Sequence, residues 1–147
     1  VDVDDWASIQ IEFETGQLGS IEVSRLAHGR NNLLGFEVHG TRGTVVFDYE
    51  HRDQLKVALA EDGARMSGFR TINTGPAHPY GHALWPGPAL GNGYAESKII
   101  ECYEFFSALT EGRPADPSFA DGYRTAAIVD AIIESTQSRA WIEVVQS

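Results

Sequence analysis

Apolar and polar residues alternate from Trp6 to Phe13, with Ala7, Ile9, Ile11 and Phe13 on one side and Trp6, Ser8, Gln10 and Glu12 on the other. A period of two marks a half-buried strand. Thr15-Gly16 breaks the pattern and Leu18 to Ala27 resumes it, so the two runs form a hairpin. After the polar stretch His28-Gly29-Arg30-Asn31-Asn32, the residues Leu34, Phe36 and Val38 alternate with Gly35, Glu37 and His39. Gly40-Thr41-Arg42-Gly43 turns the chain into a run with Val45, Phe47 and Tyr49 on one side. Leu55, Val57 and Leu59 mark another strand, and Phe69 to Thr74 a weaker one. These connections are too short for the crossovers that parallel strands need, so the pairing is an antiparallel meander.

From Gly75 to Gly93 periodicity stops. Four of the six prolines fall here, with His78, Tyr80, His82 and Trp85. A loop this long inside a compact domain is usually functional or disordered, and proline and aromatic content favour an ordered, functional one. Tyr94 to Glu111 then carries Ile99, Ile100, Cys102, Tyr103, Phe106 and Leu109 at helical spacing and stops at Gly112-Arg113-Pro114. Ser118 and Asp121 form a capping box for a second helix, whose apolar run Ala126–Ile133 predicts deep packing. Trp141 to Val145 alternates as a closing strand. Strands first and helices later predict one α+β domain over residues 1–147: a largely antiparallel open sheet of six to seven strands with two main helices packed on one face. Ser8, Gln10, Glu12, Glu37 and His39 then fall on the other face, which must meet water or a partner's sheet.

A chain of 147 residues is long enough to bury a substantial core. Its net charge of -10 disfavours nucleic acid and anionic membrane surfaces, both of which need cationic patches. No apolar run reaches the length of a membrane span. The lone Cys102 fits a reducing, cytoplasmic setting and reads as a packed thiol. The opening at Val1, directly into strand-like sequence, reads as a domain cut.

No motif carries catalysis by itself. Gly91-Asn92-Gly93 is followed by Glu96 where a dinucleotide fingerprint needs glycine, and P-loop and nucleophile-elbow patterns are lacking. No catalytic, cofactor-binding or metal residue is therefore assigned. His78 and His82 are four apart, but Pro79 interrupts the helix that would align them and a third ligand is missing. They suit contact with a polar ligand instead, as do Tyr80 and Trp85; Arg25, Arg30 and Asn31 are weaker candidates. Glu12 and Glu22 could meet across the hairpin, though a solvated face explains them better. Asp130 interrupts an apolar helix and, if buried, needs a partner such as Arg124 or a loop.

Certain stretches resemble the carboxy-terminal domain of the glucose-fructose oxidoreductase / inositol dehydrogenase / MocA family. They are Asp5-Trp6-Ala7-Ser8-Ile9, Gly19-Ser20-Ile21-Glu22-Val23-Ser24-Arg25, Val38-His39-Gly40-Thr41-Arg42-Gly43-Thr44-Val45-Val46-Phe47-Asp48, Phe119-Ala120-Asp121-Gly122-Tyr123-Arg124, Asp130-Ala131-Ile132 and Trp141-Ile142-Glu143-Val144. They run in the family's order over nearly the whole chain. The resemblance implies an intact enzyme whose amino-terminal Rossmann domain binds NAD or NADP and which oxidises a sugar or a polyol such as inositol. It also implies that the retained portion supplies substrate-closing loops and the open sheet of a homodimer or tetramer. The family's Glu-Lys-Pro and Asp-x-x-x-His motifs are absent here: Lys56 and Lys98 are the only lysines, and proline follows neither. This chain alone is then expected to lack catalysis. The alternatives are a stand-alone module binding a small ligand and a purely structural dimerisation domain.

Overall fold

The computed structural model describes residues 3–85, 87 and 90–145. Val1, where the sequence suggests a domain cut, lies outside them, as do Pro86, Pro88 and Ala89 of the long loop. The elements run β1 (Trp6–Glu12), β2 (Leu18–Ser24), β3 (Gly35–Gly40), β4 (Gly43–Asp48), a 3-10 turn (Tyr49–His51), β5 (Gln54–Leu59), β6 (Arg70–Asn73), α1 (Gly81–Leu84), α2 (Tyr94–Glu111) and α3 (Phe119–Ser138). The α+β class with antiparallel strands and two main helices is as the sequence predicts. The six strands form a two-stranded sheet, β1-β2, and a four-stranded sheet, β3-β4-β5-β6. Two compact units result: Val1–Gly29 with Pro114–Ser147, and Arg30–Arg113.

In the first unit, β1 and β2 pair with Ile9 opposite Ile21 and Ser8 opposite Glu22. The turn is closed by the Phe13 N–H on the Gln17 carbonyl at 2.9 Å and the Gly16 N–H on the Phe13 carbonyl at 2.7 Å. One face carries Ala7, Ile9, Ile11, Ile21 and Val23; the other carries Trp6, Ser8, Gln10, Glu12 and Glu22. Glu12 lies opposite Leu18, so the two glutamates are not a facing pair; Glu22 instead accepts from the Trp6 indole at 3.4 Å. At the start of α3 the capping box forms, Asp121 accepting the Ser118 N–H at 2.8 Å. The deep burial expected of α3 is not observed: none of its residues is buried and Asp130 is exposed. Asp130 thus needs no buried partner, and Arg124 pairs with Asp121 at 2.8 Å.

In the second unit, pairing aligns Phe36, Phe47, Leu55 and Ile72 in one cross-strand row and Val38, Val45, Val57 and Arg70 in the next. Phe36 and Phe47 stack with ring centroids 5.5 Å apart, the cross-strand contact that fixes register. Glu37 and His39 take the opposite face, where His39 Nδ1 lies 3.1 Å from the Thr44 hydroxyl. The β3–β4 reversal depends on Gly43, at φ 154; a Cβ there would run into the Ala58 carbonyl and lie 3.2 Å from Leu59 Cα.

Two further expectations fail. Trp141 to Val145 is not a strand, because a ladder needs a partner and the segment pairs with none among the described residues. Cys102 is exposed. Among the described residues only Trp85 and Ala108 are buried apolar side chains, while Phe36, Val38, Phe106 and Leu109 stay more than half exposed. The apolar rows exist as read, but the described residues do not cover them. No described helix is long and apolar enough to cross a membrane.

Candidate functional site

The long loop is held where it leaves, and it passes close to the same residue where it returns. The backbone N–H and hydroxyl of Thr74 both donate to the Asp53 carbonyl, at 2.8 and 3.0 Å. At the other end a Cβ on Gly91 would lie 3.0 Å from Asp53 Oδ2. Both ends therefore meet the residue just before β5. Between them the chain turns tightly, with the His78 N–H on the Gly75 carbonyl at 2.9 Å and the Gly81 N–H on the His78 carbonyl at 2.8 Å. The Gly75 N–H donates to His78 Nδ1 at 3.1 Å, so the proton of the neutral ring sits on Nε2. Gly81 is buried against this turn, and a Cβ would lie 2.6 Å from the Pro76 carbonyl oxygen.

Tyr80 carries the strain. Its φ of 63 places a bulky residue in the left-handed region, which costs about 1–3 kcal/mol and persists only where the surroundings enforce it. Its phenol donates to Glu104 Oε1 on α2 at 2.8 Å, and its ring meets Tyr103 edge-on at 6.4 Å. Arg113 holds the other oxygen of Glu104 at 3.1 Å and turns its Nε to Glu111 at 2.6 Å. The Tyr80 hydrogen bond, followed by that from Arg113, holds the Glu104 carboxyl below its ordinary range; the same bond raises the Tyr80 phenol. Tyr80, His78 and His82 are exposed, whereas Trp85 is buried, its indole N–H without an acceptor among the described residues. Trp85 underpins the turn from within.

A second cluster gathers Arg30 and Asn31. Glu50 Oε1 accepts the backbone N–H groups of Asn31 at 2.7 Å and Asn32 at 3.2 Å, while Oε2 takes Arg30 at 3.2 Å. The Asn31 and Asn32 N–H groups are the main reason that the Glu50 carboxyl is held low. Asp48 caps the 3-10 turn through the Glu50 N–H at 2.9 Å and faces His51 at 3.2 Å. Arg52 lies over the Tyr49 ring at 4.1 Å, with its Nη1 buried and without an acceptor among the described residues. Asn31, Asn32, Tyr49, Glu50, His51 and Arg52 line an open depression of about 420 Å³.

The structure thus gathers His78, Tyr80, His82 and Trp85 in one turn-and-helix segment, and Arg30 with Asn31 around Glu50. Arg25 belongs to the first unit, where its N–H donates to the Asp5 carbonyl at 2.8 Å. Sequence reasoning missed Asp53, Glu50, Glu104 and Arg113. The one signal was Arg113 beside the helix-ending Gly112, and it reads only as a stop. No three His, Cys, Asp or Glu side chains among the described residues converge on a metal position. Nor does the N-terminus of α2 suit a dinucleotide phosphate, since the Glu96 carboxylate already takes the Gly93 N–H at 2.7 Å.

Residues 1–144 match the family described as the oxidoreductase family, C-terminal alpha/beta domain. Levoglucosan dehydrogenase from Pseudarthrobacter phenanthrenivorans is 58% identical over 146 residues, 99% of this chain and 37% of that protein. Its namesake solved in complex with NADH and levoglucosan superposes with a TM-score of 0.96 at 57% identity, over 100% of this chain and 40% of the other. An oxidoreductase domain protein from Kribbella flavida superposes at 0.93 with 36% identity, over 99% of this chain and 39% of the other. The chain spans roughly two fifths of the length of these relatives. It belongs to the glucose-fructose oxidoreductase / inositol dehydrogenase / MocA family, as that family's carboxy-terminal α/β domain.

Proposed function

We propose that this chain is the substrate-binding and assembly part of an NAD(H)-dependent sugar dehydrogenase that acts on an anhydrosugar of the levoglucosan type. The observation that carries this reading is the identity to levoglucosan dehydrogenase, which extends over the whole chain. The forms of that enzyme solved with NADH, levoglucosan and L-sorbose favour a sugar over a cyclitol. Exposed apolar rows on the strands and helices support a domain completed by further protein.

On this reading NAD(H) would be held elsewhere in the enzyme and would supply the hydride acceptor, since the described residues here offer it no phosphate cradle, the N-terminus of α2 being taken by the Glu96 carboxylate. The role of this chain is to bind and orient the sugar. His78, Tyr80 and His82 offer exposed polar groups on a turn held at its start by the Thr74–Asp53 hydrogen bonds. Asn31 borders the depression beside the 3-10 turn, Arg30, its neighbour in the chain, is paired to Glu50, and Arg25 remains a weaker candidate.

The test is turnover by the full-length enzyme, followed as NADH formation. With NAD as oxidant, levoglucosan should exceed myo-inositol in kcat/KM by about tenfold or more. A preference for the cyclitol, or no turnover of either, would overturn the assignment.

A further inference from the structure

We propose that Glu104 is a positioning residue that locks the Tyr80 phenol as a hydrogen-bond acceptor toward the sugar, so that the loop selects a substrate hydroxyl able to donate. This rests on the reading of the loop as a border of the substrate site.

A phenol has one proton and two lone pairs. The proton of Tyr80 is committed to Glu104 Oε1 at 2.8 Å. Glu104 cannot readily turn away, because Arg113 holds Oε2 at 3.1 Å and is itself held by Glu111 at 2.6 Å. The Tyr80 backbone is equally committed: it is strained at φ 63, and the next residue, Gly81, is packed too tightly against Pro76 to admit a side chain. Tyr80 is nonetheless 40% exposed as a residue, and a phenol oxygen that donates one bond keeps lone pairs with which to accept another. An anionic partner also makes the phenol oxygen a better acceptor, because charge-assisted bonds polarise the group that donates them. Glu104 sits on α2 and reaches the sugar only through Tyr80.

Sugar hydroxyls both donate and accept, so the polarity of this contact is invisible with natural substrates. Replacing one hydroxyl with fluorine removes the donor and keeps the size and the electron-rich character. Exchanging Glu104 for glutamine has a specific consequence. Arg113 still demands an oxygen, so the amide presents its NH2 to Tyr80. The phenol proton is then free to turn toward the sugar.

The experiment uses the full-length enzyme, levoglucosan and its monodeoxyfluoro analogues, each hydroxyl exchanged in turn. In the unaltered enzyme, fluorine at one position remote from the oxidised carbon should lower kcat/KM by about tenfold or more. That penalty should collapse in Tyr80→Phe and in Glu104→Gln, and the double variant should lose no more than Tyr80→Phe alone. If Tyr80→Phe changes neither KM nor kcat for any substrate, the loop does not border the sugar and both readings fall. If Tyr80→Phe abolishes the penalty but Glu104→Gln retains it, the loop reading stands and the role given to Glu104 is wrong. A Glu104→Gln enzyme weakened equally on all substrates, with the fluorine penalty intact, would make Glu104 merely structural and also overturn the proposal.

Discussion

Glu50 Oε1 holds the backbone N–H of Asn31 at 2.7 Å across nineteen residues of sequence, tying the entrance of β3 to the turn that leaves β4. The same oxygen takes the Asn32 N–H at 3.2 Å, and these two bonds are the main cause of the lowered Glu50 carboxyl. A carboxyl lowered in the folded state stabilises the loop fully above the ordinary glutamate value of about 4.3. That stabilisation is lost as pH falls through the lower folded value. In Glu50→Ala, the Asn31 and Asn32 amides should exchange about tenfold faster at neutral pH, as local opening no longer breaks a bond. Unchanged exchange by NMR would show that the loop is held by something else.

Gly43 invites a second measurement. At φ 154, with the Ala58 carbonyl in the path of any Cβ, the β3–β4 reversal has no room for alanine. Gly43→Ala should destabilise the intact protein by about 1–3 kcal/mol, read from the midpoint of urea unfolding. Gly63→Ala, where a Cβ meets nothing within 4 Å, is the control and should leave the midpoint close to its starting value.

Hairpins were legible because a period of two and turn chemistry are both local. The β1–β2 hairpin and the capping box of Ser118 with Asp121 could be read from neighbouring letters alone; the register could not, since Glu12 faces Leu18 rather than Glu22. Interactions across space could not. Glu50 and Asn31, or Tyr80 and Glu104, are 19 and 24 residues apart, and no periodicity links them. Trp141–Val145 shows the opposite error, for alternation reports an ability to pair and not the presence of a partner. The apolar face of α3 misled in the same way: an apolar stripe states what a helix must cover, not that this chain covers it.

The turn between Gly75 and Leu84 places three exposed polar side chains on a rigid frame. Alanine at His78, Tyr80 and His82 together should lower kcat/KM of the full-length enzyme by about tenfold or more, with the loss chiefly in KM if the contacts are equal in ground and transition states. A value within about twofold of the unaltered enzyme would remove the loop from the substrate site.

Nicotinamide binding is expected to be absent from the isolated chain. The N-terminus of α2 is occupied by the Glu96 carboxylate, and the overall charge of -10 repels a pyrophosphate. Calorimetric titration with NAD and with NADP should be flat. Micromolar affinity for either would mean that a dinucleotide site exists within these residues.

Self-association is the last expectation, and it concerns the polar face of β1-β2. Pairing places Trp6, Ser8, Gln10, Glu12 and Glu22 together, and Trp6 is 58% exposed while its indole leans on Glu22. A large aromatic among short polar groups is the composition of an interface rather than of a solvated sheet. Glu37 and His39 give the four-stranded sheet a comparable face. Sheet faces packed about a two-fold axis bury the same residues on both copies, the commonest arrangement of homo-oligomers, and a standard interface needs about 1,600 Å² in total. Light scattering coupled to size exclusion should therefore find the intact protein as a dimer or a tetramer. Ser8→Glu with Gln10→Glu sets like charges against each other across the axis and should weaken assembly about tenfold or more. A monomer at tens of micromolar would falsify the expectation outright, and an assembly indifferent to both charges would move the interface to another face.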